Sequence, residues 1–354
     1  MAGWKRGTRE TQYDAGMTDE NLQVRLASRP AGRPTADNFS FVKEPVPVPR
    51  EGQVLLRTRY LSLDPYMRGR MSDAPSYAPP VEVGGVMVGG TIGEVVESKA
   101  PGLEPGDVVL AYSGWQRYGV ARGDLVQKLD PASGIPVTEF LGVLGMPGCT
   151  AYVGLAKIGQ PKPGETVVVA AASGPVGATV GQLARIFGAR AVGIAGGPEK
   201  TEYVRSLGFD AAIDHRSPTF KADLAAATPA GIDVYFENVG GHVWDTVFPR
   251  LNQFGRVPLC GLVAYYNMTA APEGPDRSPG LLTGILKKSL TVRGFIVSDF
   301  MAEVLPEFLE RAVPWVRDGS LRGREDIVDG LENAPEAFIG MLDGRNFGKL
   351  LIRV

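Results

Sequence analysis

The stretch TVVVAAASGPVGATVGQLAR, residues 166–185, has the clearest capacity for chemistry. An apolar strand over Thr166–Ala172 runs straight into Ala172-Ser173-Gly174-Pro175-Val176-Gly177, and helical spacing continues over Val176–Phe187. The pattern is the dinucleotide fingerprint G-x-G-x-x-G with Ala172 in place of the first glycine. Gly174 lets the backbone approach a pyrophosphate, and Gly177 lets the helix pack closely on the strand. The first turn, with Pro175 and Val176, directs free N–H groups and a partial positive charge at the phosphates. A glycine triplet alone is weak evidence, but here a strand precedes it and a helix follows. The competing reading is a tight βα turn in an unrelated α/β protein.

The next strand decides which nucleotide fits. A site for an unphosphorylated ribose ends this strand with Asp or Glu, which binds the 2′-OH. Here the sequence is AVGIAGGPEK, with Gly196 and Gly197 in the acid's place and Lys200 just beyond. With no acid to repel it and a cation nearby, a ribose 2′-phosphate is favoured, which selects NADPH. Arg216, after the third strand, offers a second cation. Glu199 is the opposing signal, and an ordinary solvated helix lysine is the bland reading of Lys200.

These residues need elements to hold them. From Phe41 to Asp130 short strands recur (Gln53–Tyr60, Val86–Val96, Asp107–Tyr112), punctuated by Gly and Pro, as in a small closed β-domain. From Glu165 onward, strands at Ala191–Ala195, Ala211–Asp214, Val234–Glu237, Arg256–Cys260 and Thr291–Val297 alternate with helices such as Glu199–Leu207. That alternation predicts an α/β fold with a parallel, doubly wound sheet. A last helix, Ala334–Leu342, and strand, Lys349–Arg353, are read as returning to the first domain. At 354 residues the chain is long for one core. Its net charge of −2 gives no basic field for nucleic acid or anionic membrane, and no apolar run reaches the roughly 18–20 residues of a membrane span. Residues 1–20 lack a secretory pattern and read as a flexible tail. Two cysteines, Cys149 and Cys260, make no disulfide framework, so a reducing, cytoplasmic setting is expected. The two histidines, His215 and His242, have no metal-ligand spacing, so no metal is expected.

Longer stretches bring in a family. LLRTRYLSLDPYMRGRMSDAPSY, GGVMVGGTIGEVVES, LGMPGCTAYVGL, GIDVYFENVGG, CGLVAYYN, DGLENAPEAFIGML and GRNFGKLLIRV together make residues 27–354 resemble the zinc-independent medium-chain dehydrogenases/reductases. Within them the likeness is to the prostaglandin and leukotriene reductases, the plant double-bond reductases and, nearest, the bacterial NADPH-dependent curcumin reductases. The resemblance implies a GroES-like β-rich domain over 21–138, a Rossmann domain over 139–317, and a return to the first domain over 318–354. It also implies an interdomain cleft where nicotinamide meets substrate, and a homodimer. Zinc-dependent relatives carry a cysteine motif where this chain has Ser62-Leu63-Asp64-Pro65-Tyr66-Met67-Arg68, so a zinc Lewis acid is not expected.

The activity implied is hydride transfer from NADPH to the β-carbon of an α,β-unsaturated ketone or aldehyde, curcumin-like or a 2-alkenal. The negative charge that develops on the carbonyl oxygen needs a hydrogen-bond donor. Tyr266, in CGLVAYYN after the fifth strand, is the first candidate, with a plain ribose contact as its alternative. Tyr66 is the second, with packing as its alternative. Tyr77 and Tyr265 are pocket candidates, and Arg68 and Arg70 are either pocket or structural. The resemblance further assigns Thr150, Asn238, Cys260, Gly261, Phe295, Val297 and Asn346 to the cofactor. His215 stacks on adenine, bonds the phosphate, or is a surface histidine. Cys149 and Cys260 read as packing residues, not nucleophiles, because no histidine stands ready to activate them. A quinone oxidoreductase, an eicosanoid-type dehydrogenase of the same fold, and a non-catalytic NADPH-binding module remain as rival readings.

Overall fold

A computed structural model of the chain describes residues 20–270 and 273–354. The tail expected over residues 1–20 lies outside the described residues except for Glu20, which already pairs in a strand. That strand, β1 (Glu20–Leu26), forms an antiparallel ribbon with β2 (Phe39–Pro45). The longest strand, β3 (Gln53–Ser62), leads into the single-turn helix α1 (Met67–Arg70), and β4 (Thr91–Ser98), β5 (Val108–Ala111), β6 (Tyr118–Arg122) and β7 (Gln127–Leu129) follow. Two register shifts interrupt the β3–β4 pair, at Leu55/Leu56 and Thr58/Tyr60, and the first half of β3, Gln53–Arg57, also pairs with β6. The strand expected over Val86–Val96 begins only at Thr91. Before it Val86 makes only an isolated bridge, to Arg25, and Gly89 passes close to β3, where a Cβ would come within 2.7 Å of the Leu61 side chain.

The second half is parallel. It opens with α2 (Met146–Tyr152), which runs on as a π-helical stretch over Val153–Gly159. Strand and helix then alternate: β8 (Thr166–Val169), α3 (Pro175–Ile186), β9 (Arg190–Ala195), α4 (Pro198–Ser206), β10 (Ala211–Asp214), α5 (Phe220–Ala227), β11 (Ile232–Phe236), α6 (Gly241–Val247), β12 (Leu251–Leu259), α7 (Ser278–Lys288), β13 (Thr291–Gly294) and α8 (Met301–Arg317). All the pairs are parallel, and the sheet order is β10-β9-β8-β11-β12-β13. The order reverses between β8 and β11, so a crevice opens at their carboxyl ends. Val167 and Val169 face one core and Val168 the other, which explains why β8 is a continuous apolar run. The expected strand Thr291–Val297 stops at Gly294, after which Phe295 packs edge-on against Phe236. Ser278 opens α7, with Pro279 in its first turn.

The remaining elements are β14 (Glu325–Asp329), α9 (Ala334–Leu342) and β15 (Lys349–Arg353). β15 pairs antiparallel with β3, and β14 lies parallel on its other side, so the last strands extend the first sheet. Phe338 of α9 meets Phe39 and Trp115 edge-on, at 6.3 and 5.7 Å, while those two rings stack on each other. A buried ion pair fixes the register. Lys349 Nζ donates to Asp64 Oδ1 at 2.7 Å and to the Leu63 carbonyl at 2.8 Å, and Ser62 Oγ donates to Asp64 Oδ2. The two charged side chains are 3% and 7% exposed, so each is held by the other rather than by water.

Lys349→Met keeps the length of the side chain but strands the Asp64 charge. It is expected to cost about 3–5 kcal/mol of unfolding free energy in urea denaturation. Adding Asp64→Leu should recover much of that loss; an equal loss in the double variant would mean that the stranded charge is not the cause.

Candidate functional site

The turn between β8 and α3 is tight and left-handed at one residue. Ala171 has φ 52°, a conformation that costs a non-glycine residue about 1 kcal/mol or more. Its carbonyl oxygen lies 2.4 Å from where a Cβ on Gly177 would stand, so only glycine brings the helix this close. Gly174, the N-cap of α3, differs: a Cβ there would meet nothing nearer than the Ala171 oxygen at 3.4 Å. Its absence keeps the space before the first helical turn open to phosphate. Ala172 is fully buried beneath. Asn238, at the end of β11, donates to the Ala170 carbonyl at 2.9 Å and joins the two strands at the switch point.

At the next strand end a basic group converges. A Cβ on Gly196 would lie 2.9 Å from both His215 Nε2 and Arg216 Nε. Gly197 takes φ 90°, which favours glycine, and opens α4. Lys200 Nζ donates to the Gly344 carbonyl at 2.7 Å, so the returning segment closes this end. Burial and Arg216 lower the Lys200 pKa. The nearby Asp214 carboxylate is turned to the backbone, accepting from Gly197 N and Arg216 N at 2.9 Å each. Cations face the seat and the acid does not. The residues present therefore fit a dinucleotide with a ribose 2′-phosphate.

Phenols gather at the other end. Tyr66 is the N-cap of α1, and burial together with Asp64 raises its pKa far above the ordinary phenol range. The Arg70 guanidinium lies 5.7 Å from the Tyr66 ring centre and 4.7 Å from that of Tyr77. Tyr266 stands after β12, with its hydroxyl 3.2 Å from where a Cβ on Gly261 would be. Burial, with Cys260 and Tyr77 nearby, pushes its phenol up to about 12. Both tyrosines therefore stay protonated at neutral pH and can donate. Arg68, itself buried, links their segments, donating to the Gly32 carbonyl at 2.7 Å and to Asn267 Oδ1 at 3.2 Å. A cleft lined by Tyr66, Tyr112, Leu144, Met146, Met301 and Leu305 joins the first sheet's loops to α8.

Two family profiles match the chain: "N-terminal domain of oxidoreductase" over residues 22–129 and "Zinc-binding dehydrogenase" over 175–314. NADPH-dependent curcumin reductase of Escherichia coli is 56% identical over 330 residues, 93% of this chain and 95% of the relative. Prostaglandin reductase 1 of Bos taurus is 38% identical over 325 residues, 91% and 95% of the two chains. The crystal structure of CurA from Vibrio vulnificus in complex with NADPH superposes with TM-score 0.90 at 50% identity, covering 94% of this chain and 99% of that one. The chain belongs to the medium-chain dehydrogenase/reductase family.

In this medium-chain dehydrogenase/reductase the second profile's description names zinc, yet Ser62–Arg68 contains no Cys or His. Among the described residues no three His, Cys, Asp or Glu side chains gather as a metal site, and no helix is long and apolar enough to cross a membrane. Several expected site residues are engaged locally. Thr150 Oγ1 donates to the Met146 carbonyl at 2.7 Å, and Asn346 Nδ2 to that of Gly348 at 2.9 Å. Tyr265 does not join the phenol group: its ring lies against Gly240, and its hydroxyl accepts from Gly241 N at 2.8 Å. Phe295 is buried beneath the sheet, and Val297 packs beside the same core. Burial raises both thiols, Cys149 to about 11 and Cys260 to about 12, which leaves neither as a thiolate.

Sequence reading missed Tyr112 and a group beside the phosphate turn. There Arg324 stacks on Phe347 at 3.8 Å and shares a cleft with Ser173, Gly174, Glu139 and Glu325. These residues come from distant segments, and no local pattern marks them. Burial and Glu325 push the Glu139 carboxyl up from 4.5 to about 7.

Two measurements probe these groups. Lys200→Ala should raise the Kd of NADPH roughly tenfold or more in a fluorescence titration, with NADH changed by less than about twofold. Equal losses would remove Lys200 from the 2′-phosphate. Below pH 4.5 Glu139 is protonated whether the chain is folded or unfolded; as pH rises through about 7 the folded protein progressively loses the stability of its buried, protonated form. Glu139→Gln should therefore raise Tm above pH 7 and leave it unchanged near pH 4, and a pH-independent difference would contradict the shift.

Proposed function

We propose that the protein reduces carbon–carbon double bonds conjugated to a ketone or aldehyde, with NADPH as reductant. The observation that carries this reading is the pair of protonated, half-buried phenols, Tyr66 on the turn after β3 and Tyr266 after β12, with the cation group gathered beyond the ends of β9 and β10. The relatives support the cofactor and the reaction class: the Escherichia coli protein is named an NADPH-dependent curcumin reductase. Ala172, Gly174, Pro175, Val176 and Gly177 hold the pyrophosphate, and Gly196, Gly197, Lys200, His215 and Arg216 hold the 2′-phosphate. Thr150, Asn238, Cys260, Gly261, Phe295, Val297 and Asn346 frame the rest.

Bound there, NADPH supplies a hydride. The chain's own residues handle charge and protons. An enone that gains hydride at its β-carbon develops negative charge on its carbonyl oxygen. Tyr266 Oη–H donates a hydrogen bond to that oxygen, which is worth about 3–4 kcal/mol of barrier by comparison with other oxyanion donors. Tyr66 Oη–H is the second donor facing the cleft. The α-carbon then takes a proton from a tyrosine or from water. The aromatic and thioether lining, Tyr112, Met146 and Met301, suits a flat conjugated substrate, curcumin-like or a 2-alkenal.

The protein acts as a homodimer in the cytoplasm on this reading. Edge strand β13 and the exposed Leu282 and Leu286 of α7, 64% and 79% accessible, support a self-association face, and two free cysteines fit a reducing compartment.

Tyr266→Phe is expected to lower turnover more than about tenfold while the KM for NADPH holds. The assay follows loss of the conjugated chromophore. Because the phenol titrates at about 12, wild-type kcat should show no step near pH 10. Unchanged turnover in the variant would assign Tyr266 to binding or packing, and turnover of quinones without loss of enones would overturn the reaction class.

A further inference from the structure

The chain's two histidines, 27 residues apart in sequence, touch. His215 Nδ1 lies 3.2 Å from His242 Nε2, and the same His242 nitrogen is 3.3 Å from the His215 carbonyl oxygen. A carbonyl oxygen only accepts, so the hydrogen belongs on His242 Nε2. The opposite arrangement would set a lone pair of His242 against that carbonyl. One N–H is therefore shared between two acceptors of the same residue, and His215 Nδ1 carries no hydrogen. In a neutral imidazole the hydrogen of His215 is then on Nε2, the atom 2.9 Å from the missing Cβ of Gly196.

We propose that His242 is a positioning residue for cofactor choice: it locks His215 in the Nε2–H tautomer, so that a hydrogen-bond donor faces the 2′-phosphate beside Arg216. The proposal rests on the 2′-phosphate reading above. In the other tautomer His215 would turn a lone pair on the phosphate. The surroundings favour a neutral His215: burial, His242, Arg216 and Lys200 all lower its pKa, against Asp214 alone, which raises it. The Phe220 ring meets His242 edge-on at 6.1 Å and holds it against its partner. His242 lies in the first turn of α6, behind His215, so it acts through His215.

The full-length protein gives a direct test, because two histidines yield two sets of imidazole signals. In ¹⁵N-labelled protein at pH 7.5, long-range ¹H–¹⁵N spectra should show His215 as Nε2–H. His242→Phe keeps a ring and removes the donor. It should shift His215 toward Nδ1–H and weaken 2′,5′-ADP binding roughly tenfold, with 5′-AMP binding unchanged. His242→Gln returns an amide N–H and should recover most of the loss. A wild-type His215 found as Nδ1–H, or a His242→Phe protein that keeps its full preference for 2′,5′-ADP, would overturn the proposal and leave the NADPH reading intact. A wild-type protein that binds 2′,5′-ADP no better than 5′-AMP would overturn both.

Discussion

The 2.4 Å between the Ala171 oxygen and the place of a Gly177 Cβ sets how the nucleotide half is built. A helix that starts this close to its strand must begin at the strand's carboxyl end, with its first N–H groups over the crevice. For that, Ala171 takes up a left-handed backbone, and Asn238 clamps the neighbouring strand to the same turn. Sheet order adds the rest. Because the order reverses between β8 and β11, the helix end faces a gap and not another connection. The open face of Gly174 then has a use, since nothing of the chain fills the space before it.

The first sheet depends on a different contact. β15 reaches β3 from nearly three hundred residues away, and its register is fixed where Lys349 meets Asp64 out of reach of water. Asp64 begins the turn that carries Tyr66. The same returning segment brings Gly344 to Lys200 and Arg324 to the phosphate turn. One stretch of chain therefore braces both ends of the cleft. A disturbance of the return strand should be felt at the cofactor seat as well as in the β-domain.

Local rules made much of this legible. The fingerprint turn, the missing acid at Gly196 and the alternation of strand and helix are all encoded within short windows, and the structure has β8, α3, β9 and α4 there. Errors gathered where tertiary contacts override local pattern. Val86–Gly90 reads as strand but pairs only at Val86, by an isolated bridge to Arg25; Ser278 starts a helix inside a Pro/Gly-rich stretch. Tyr112, Arg324 and the Glu139–Glu325 pair have no signature, because each acquires its place through partners far away in sequence. The histidines escaped for a related reason. No spacing along the chain marks the pair; the end of β10 and the start of α6 bring the two rings together in space.

The two ends of the cleft handle charge in opposite ways, and burial serves both. At the ribose end burial and Arg216 lower the Lys200 pKa, burial and His242 push His215 toward its neutral form, and Asp214 is occupied by backbone N–H groups. On the proposed reading, the cations and the imidazole N–H at that end favour a ribose 2′-phosphate over a bare ribose. At the phenol end the Arg70 guanidinium lies beside Tyr66 and Tyr77, Arg68 ties the two tyrosine segments together, and burial raises the Tyr66 and Tyr266 pKa values. A neutral phenol donates most strongly to an oxygen that has become an anion and only weakly to a carbonyl, so it lowers the barrier more than it tightens substrate binding. A lysine in its place would bind the ground state and the anion with less difference between them. On the proposed reading, ground-state binding comes chiefly from the nucleotide and the apolar walls, which leaves the phenols to act on the charge that appears during reaction.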